Sequence, residues 1–211
     1  EQIFKLSYIG KLLIKRSAMR SAEFDRETVL RSAMNAFMHK GYNKTSMQDL
    51  KAATGLHPGS IYCAFENKKG LLLAAIGQYN QDSTAFFNAF FEKAPSPLAG
   101  LSAYLNHIVE QCLSCEPAAS CLLQKALNEL AEQDSDVQTL VTEQLHRWQA
   151  GLEAIIEKGI LAGEIVGLRD AKCRARSLVM SIYGLRTYGY THPEPDELKA
   201  LAKQVINDIS V

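Results

Sequence analysis

The chain has 211 residues, of which 47% are hydrophobic and 22% are charged, a composition typical of a globular protein with a sizeable core. Its 23 Lys and Arg residues balance 23 Asp and Glu residues, and this zero net charge on its own argues against nucleic-acid binding. No stretch reaches the roughly 18 uninterrupted apolar residues that a membrane span needs, and no signal peptide is recognisable, so we expect a cytoplasmic protein.

The distribution of charge is uneven and places the positive excess toward the N-terminus. Residues 19–70 carry eight Lys and Arg against five Asp and Glu, a local net charge of +3. Residues 71–211 carry eleven against seventeen, a net charge of −6, and residues 1–18 carry four against one. Such an asymmetry is expected when one end of a protein approaches phosphates.

The apolar residues recur at helical spacing throughout, without an alternating strand pattern, which predicts an all-α fold. A first amphipathic helix begins at Asp25 and ends at Gly41, and its predicted core residues are Val29, Leu30, Ala33, Phe37 and Met38. Thr45 is predicted to cap a second helix, with Gln48 completing a capping box. The inward face of that helix is predicted to hold Met47, Leu50 and Ala53.

A third helix follows a tight turn at Gly55, starts at Pro58 and is predicted to bury Ile61 and Phe65. Asn67 is predicted to cap a fourth helix. Two short helices joined by a turn that contains glycine, backed by a longer first helix, are typical of a helix-turn-helix unit.

Residues 23 to about 75 resemble the DNA-binding head of the TetR family of regulators. The resemblance is carried by Val29-Leu30-x-x-Ala33-x-x-x-Phe37, Gly41-Tyr42, the run 45–50, Ala53-x-Gly55-Leu56, and Gly59-Ser60-Ile61-Tyr62-x-x-Phe65-x-x-Lys68-x-x-Leu71. Cys63 and Ala64 depart from it, since many members carry an aromatic residue or histidine there. The resemblance implies a ligand-responsive transcriptional regulator, usually a repressor. The sequence has no nucleotide-binding glycine loop, no HExxH, no GxSxG and no carboxylate constellation, so we expect no enzymatic activity and no cofactor.

The resemblance also implies which residues contact DNA. The recognition helix would present its N-terminal residues to the major groove, and these are His57, Pro58, Gly59 and Ser60. Tyr62 matches a family tyrosine that contacts the DNA backbone. Predicted phosphate contacts at or near helix N-termini are Lys44, Thr45, Lys68 and Lys69.

Residues 1–18 precede Met19, a natural start, and we interpret them as an upstream extension or an expression scar. An alternative is a basic arm for the minor groove, built from Lys5, Lys11, Lys15 and Arg16. The rest divides into a predicted DNA-binding head at 19–70 and a predicted helical body at 71–211, which binds the effector and dimerises.

The body is predicted to contain helices near 71–92, 98–114, 118–131, 135–163, 169–189 and 195–209. Segments 135–163 and 169–189 resemble the family's dimerisation pair and carry apolar stripes wider than one neighbouring helix needs, which predicts a homodimer. Four phenylalanines fall within residues 86–91, too many to face one core. The predicted effector-site residues are Phe90, Tyr104, His107, Trp148 and Tyr183.

Two other functions remain open on the sequence. Cys112, Cys115 and Cys121 could make the chain a thiol-based redox-sensing repressor, or a soft-metal sensor, although no complete metal ligand set is recognisable. The helix-turn-helix could instead bind protein in a helical adaptor, whose affinity for DNA would not depend on salt. The effector, the operator and the choice between repressor and activator are not given by the sequence.

Overall fold

The computed structural model describes residues 25–114 and 121–211, and within these ranges the chain forms nine helices and no strand. In chain order, α1 to α9 are Arg26–Lys40, Met47–Thr54, Pro58–Phe65, Lys68–Glu92, Pro97–Leu113, Leu122–Leu130, Ser135–Leu161, Ala171–Gly189 and Pro195–Ser210. The predicted all-α fold class is confirmed. None of the helices in these ranges combines the length and the apolar character that crossing a bilayer would take.

Helices α1 to α3 pack around a small core of the predicted kind. The five predicted core residues of α1 are all buried, and they meet Leu50 of α2 together with Ile61 and Phe65 of α3. Ala53 was predicted to face inward and is exposed, because it lines a shallow surface groove between α1 and α2. Gly55 ends α2 with φ +71°, a conformation that glycine adopts without the steric cost of a Cβ.

The predicted cap of α2 is one residue out of register. Ser46, not Thr45, is the N-cap: its hydroxyl accepts from Asp49 N at 3.1 Å, and the Asp49 carboxylate accepts from Ser46 N at 2.8 Å. In this register the backbone N–H groups of Ser46 and Asp49 both have an acceptor. The Asp49 carboxylate makes the return bond that the Gln48 side chain was predicted to make. Thr45 is buried instead, and its hydroxyl donates to the carbonyl of Gly41 at 2.6 Å.

Helix α4 runs without interruption from Lys68 to Glu92, so the predicted boundary between residues 70 and 71 falls inside its first turn. Asn67 caps it as predicted, accepting from Gly70 N at 2.9 Å. The core of the head continues along α4 and includes buried residues of α6 and of the start of α7. We call this the head core; its last fully buried residue on α7 is Val141, and Leu145 packs against it.

A second hydrophobic core, the body core, is formed by α5, the C-terminal half of α7, α8 and α9. It begins along α7 at Leu152, with Trp148 packed against its edge. Arg174 lies fully buried beside this core, and its guanidinium donates to the carbonyls of Arg169, Val166, Ile209 and Val211. These bonds tie α8 to the loop before it and to the end of α9, and they satisfy a charge that would otherwise be costly to bury.

Candidate nucleic-acid interface and effector site

The outer face of α3 carries the residues predicted to read DNA. Ile61 and Phe65 anchor the helix in the head core, so the opposite side faces solvent. His57 is the N-cap and Pro58 occupies the first turn as predicted. A Cβ at Gly59 would meet no atom within 4 Å among the described residues, and Ser60 is exposed beside it. Tyr62 is 51% exposed on the same side.

This arrangement suits entry into a groove. The N-terminal turn of α3 presents an imidazole, a hydroxyl and an uncovered backbone stretch, and the Tyr62 hydroxyl lies one turn further along. Side chains of this type donate and accept hydrogen bonds at base edges and phosphates. The sequence therefore identified the exposed face of the helix-turn-helix, while the contacts themselves remain predictions.

The predicted phosphate contacts differ in how their side chains are placed. Lys44 is exposed in the loop before α2. Thr45 is buried, and its hydroxyl donates to the Gly41 carbonyl, which helps to hold the α1–α2 loop in shape; its contact with a phosphate stays a prediction.

The two lysines at the start of α4 both have partners within the protein. The Lys68 ammonium lies over the Tyr42 ring, 4.3 Å from its centroid, and burial lowers the pKa of Lys68. Lys69 forms ion pairs with Asp134 at 2.8 Å and Asp136 at 2.7 Å. A phosphate would have to compete with these carboxylates for Lys69, which fastens the start of α4 to the start of α7.

Helix α6 contacts the end of α1 and the α1–α2 loop through side chains that the sequence analysis did not identify. The Lys125 ammonium donates to the Met38 carbonyl near the end of α1. The Glu129 carboxylate accepts from the backbone N–H of Asn43 at 3.0 Å. Gly41 has φ +78°, and a Cβ there would collide with the Glu129 carboxylate, so glycine is required for this close approach. We call these contacts the α6 clasp.

The five predicted effector-site residues lie in one continuous run of ring contacts and near neighbours. Phe90 packs edge-on against Tyr104 at 5.6 Å between ring centroids, and 6.3 Å separates it from the His107 ring. Trp148 packs against Tyr183 at 6.1 Å. Tyr104 joins the two groups because its side chain lies beside Trp148. The four phenylalanines do not all face one core, as predicted: Phe86 is 44% exposed, Phe90 is partly buried, and Phe87 and Phe91 pack against the body core.

The inner end of this aromatic run holds buried polar atoms that lack a partner. Among residues 25–114 and 121–211, no hydrogen bond is made by Gln144 Oε1, Trp148 Nε1 or Tyr183 Oη, although none of these atoms touches solvent. Tyr104 lies beside the Trp148 indole, which partly offsets the rise in the Tyr104 pKa that burial causes. We call these three atoms the unpaired triad. Buried polar atoms are normally satisfied, so such a group marks a candidate binding site.

The triad lies at the junction of the two hydrophobic cores. On α7, Val141 belongs to the head core and Leu152 to the body core, with Gln144 and Trp148 between them. Cys121, which precedes α6, interacts electrostatically with Tyr183, and its sulfur accepts from the Tyr79 hydroxyl at 3.6 Å. Burial raises the pKa of Tyr79, Tyr104 and Tyr183, so this region favours neutral groups. The triad is therefore close to the start of the helix that grips the head.

Two of the three cysteines predicted to form a redox or metal site, Cys112 and Cys121, lie in the described parts of the chain, and both are free thiols. Cys115 lies outside the described residues. Cys112 is half-buried against α8, and burial raises the pKa of its thiol, which opposes thiolate formation. Over residues 25–114 and 121–211, no three His, Cys, Asp or Glu side chains converge as a metal ion would need.

Helix α8 has a largely exposed face, on which the Tyr188 hydroxyl donates to Glu197 Oε1 at 2.7 Å. Its predicted apolar residues Ala175, Leu178, Ile182 and Leu185 are buried in the body core. The opposite face carries Met180, which is 74% exposed, and the exposed Tyr188, Ser177 and Gly184. An exposed methionine and tyrosine on a helix with small neighbours are typical of a surface that another helix covers.

Comparison with known proteins shows what the two parts of the chain are similar to. Residues 29–75 match the family described as bacterial regulatory proteins, tetR family. Residues 97–205 match the family described as tetracyclin repressor-like, C-terminal domain. A curated relative is the HTH-type transcriptional repressor ComR of Escherichia coli strain K12, 28% identical over 173 residues, which are 82% of this chain and 82% of ComR.

Solved structures share the fold. A TetR family regulator from Agrobacterium tumefaciens superimposes with a TM-score of 0.79 at 22% identity, covering 88% of this chain and 97% of that one. A cysteine mutant of the TetR family regulator CifR, complexed with 26-bp double-strand operator DNA, has a TM-score of 0.77 at 24% identity. That comparison covers 89% of this chain and 98% of CifR.

Proposed function

Because the chain belongs to the tetR family of bacterial regulatory proteins, we propose that it binds a palindromic operator as a homodimer and leaves it when a small molecule binds the body. The family is one of ligand-responsive DNA-binding transcriptional regulators rather than enzymes. The observation that carries the proposal is the exposed N-terminal turn of α3. Ile61 and Phe65 are buried in the head core, so the opposite side of this helix faces solvent.

Support for the DNA contacts comes from the exposure of the proposed residues. His57, Gly59 and Ser60 would meet base edges, and Pro58 would pack against a thymine methyl. Lys44 and the Tyr62 hydroxyl would contact phosphates and fix the register of the helix.

A homodimer is supported by the exposed face of α8 that carries Met180 and by the two-fold symmetry of a palindromic operator. We propose that Met180 and Tyr188 pack against the same face of a second copy. A two-fold dimer would place two α3 helices about 34–36 Å apart on successive major grooves. The two copies would then read the two halves of an inverted repeat.

We propose that the effector signal reaches the head by two routes. Helix α4 joins head and body directly, and the ion pairs of Lys69 attach its first turn to α7. The α6 clasp attaches the other side of the head through Lys125 and Glu129. An effector that changes the position of α4 and α6 would alter the spacing of the two heads. A coupling free energy of about 1–3 kcal/mol is enough to change operator affinity 5- to 150-fold.

The experiment that tests the proposal is selection of bound fragments from the source genome by the purified, reduced full chain, followed by sequencing. We expect enrichment of one inverted-repeat site, and an affinity for that site that falls steeply as salt rises. No enrichment in low salt would contradict the proposal and favour the protein-binding adaptor instead.

The redox-sensing alternative, in which Cys112, Cys115 and Cys121 act as the sensor, has weaker support. Burial raises the pKa of the Cys112 thiol, which opposes this alternative. Operator binding measured with and without mild oxidant distinguishes the two: loss of affinity that returns on reduction would favour thiol sensing.

A further inference from the structure

We infer that the unpaired triad of Gln144, Trp148 and Tyr183 binds a phenol, an uncharged aromatic molecule whose hydroxyl group satisfies all three atoms. This inference rests on the proposed function, because it assigns a ligand class to the effector site of a regulator. The triad restricts the chemistry of the ligand, because each of its atoms can form a hydrogen bond only with certain groups.

Gln144 and Trp148 are brought together by the helix that carries them. They stand four residues apart on α7, the spacing that places two side chains on the same face. Gln144 is only 4% exposed, and Tyr183 reaches the same region from α8, with its ring centroid 6.1 Å from that of Trp148. The three polar atoms therefore belong to one interior region at the junction of the head core and the body core.

The hydrogen-bonding capacity of these atoms selects among ligand groups. Gln144 Oε1 can only accept, Trp148 Nε1 can only donate, and the Tyr183 hydroxyl can do either. One hydroxyl group donates to Gln144 and accepts from Trp148 at the same time. A carboxylate cannot donate to Gln144, an ammonium cannot accept from Trp148, and a ketone leaves Gln144 unpaired. A hydroxyl therefore matches the hydrogen-bonding capacity of the whole triad.

The residues around the triad favour a ligand in which this hydroxyl is attached to an uncharged aromatic ring. Trp148, Tyr183 and Tyr104 provide aromatic faces and edges. Arg186 is the nearby positive charge, but its guanidinium already donates to Gln111 Oε1 at 3.2 Å. Burial raises the pKa of Tyr183 in spite of that charge, so an ionised ligand would be disfavoured as well.

The test uses the fluorescence of Trp148, the only tryptophan in the chain, excited where phenols do not absorb. The full-length protein is titrated with para-ethylphenol, para-ethylanisole and para-ethylbenzoate, and calorimetry checks each affinity. We expect para-ethylphenol to bind about tenfold more tightly than the methyl ether, because the ether has lost its donor and leaves the buried Gln144 oxygen without a partner. The carboxylate should bind more weakly than either.

Two variants test the residues. Gln144→Leu and Tyr183→Phe should each reduce the preference for para-ethylphenol over para-ethylanisole by about tenfold or abolish it. Gln138→Leu, at an exposed position of the same helix, is the matched control and should leave the preference unchanged. Gln144→Leu should also raise the melting temperature of the ligand-free protein, because it removes an unpaired buried acceptor.

The outcomes separate the ligand class from the regulator function. Absence of saturable para-ethylphenol binding, equal affinity for the ether, or full preference in the Gln144→Leu variant would each overturn the phenol assignment. Selection of genomic fragments with the same preparation tests the regulator. Enrichment of an operator together with failure of phenol binding overturns only the ligand class, whereas failure of both overturns the proposed function too.

Discussion

The backbone N–H of Asn43 donates to Glu129 Oε2 at 3.0 Å, which fastens the loop before the helix-turn-helix to α6 of the body. The two residues are 86 positions apart in the sequence. The loop also contains Gly41, whose positive φ and missing side chain make room for the Glu129 carboxylate. The head is therefore attached to the body on two sides, by the continuous helix α4 and by the α6 clasp.

Glu129→Ala should loosen the α1–α2 loop without unfolding the protein. The backbone N–H of Asn43 loses its acceptor, so we expect faster hydrogen exchange in peptides covering residues 41–46. The free energy of unfolding should fall by about 1 kcal/mol, as for a typical single hydrogen bond to a charged group near the surface. Glu132→Ala, at an exposed site just beyond α6, is the matched control. Unchanged exchange in this loop would mean that the clasp contributes nothing to its order.

Lys44→Ala should weaken operator binding uniformly across sequences. Lys44 is exposed in the loop before α2, where we expect it to neutralise one phosphate. The slope of log affinity against log salt should become shallower by about 0.9, which corresponds to one counterion fewer released. The measurement is a fluorescence-anisotropy titration at several salt concentrations. Lys93→Ala, at the far end of α4, is the control and should leave the slope unchanged.

Met180→Asp should convert the proposed dimer to a monomer. Met180 is 74% exposed on the outer face of α8, and a carboxylate placed opposite its own copy would be both desolvated and repelled. Light scattering after size-exclusion chromatography would show half the mass, and operator affinity should fall at least about tenfold because one head binds alone. Leu201→Asp, on α9, is the control. A Met180→Asp variant that stays dimeric would move the interface away from this face.

Alkylation of Cys112 should need a higher pH than alkylation of an ordinary thiol. Burial raises the pKa of Cys112, and only the thiolate reacts, so its reactive fraction disappears as the pH falls through that raised pKa. Peptide mass spectrometry after brief iodoacetamide treatment over a range of pH gives the rate at each cysteine. The exposed Cys63 is the internal reference. If Cys112 reacts as fast as Cys63 at neutral pH, the redox-sensing alternative gains support.

The sequence determined the head almost completely because local signals specify it. Helical periodicity located the buried face of α1, Gly55 and Pro58 marked the turn and the start of α3, and Asn67 marked the start of α4. The wrong cap at Thr45 came from the same local reasoning. Two adjacent hydroxyl residues can each cap a helix, and only the packed loop decides that Thr45 turns inward to Gly41 while Ser46 caps.

The tertiary structure alone decided the features that depend on residues far apart in the chain. Periodicity indicates that a helix has a buried face but not which helix covers it, so the α6 clasp could not be predicted from Lys125 or Glu129. The sequence around Arg174 does not predict that its guanidinium is fully buried. The carbonyls that accept from it lie up to 37 residues away, so local patterns do not indicate them. The sequence suggested Trp148 and Tyr183 by residue type. Gln144 was missed because an amide on a helix is usually solvated, and only the meeting of two cores left its oxygen buried and unpaired.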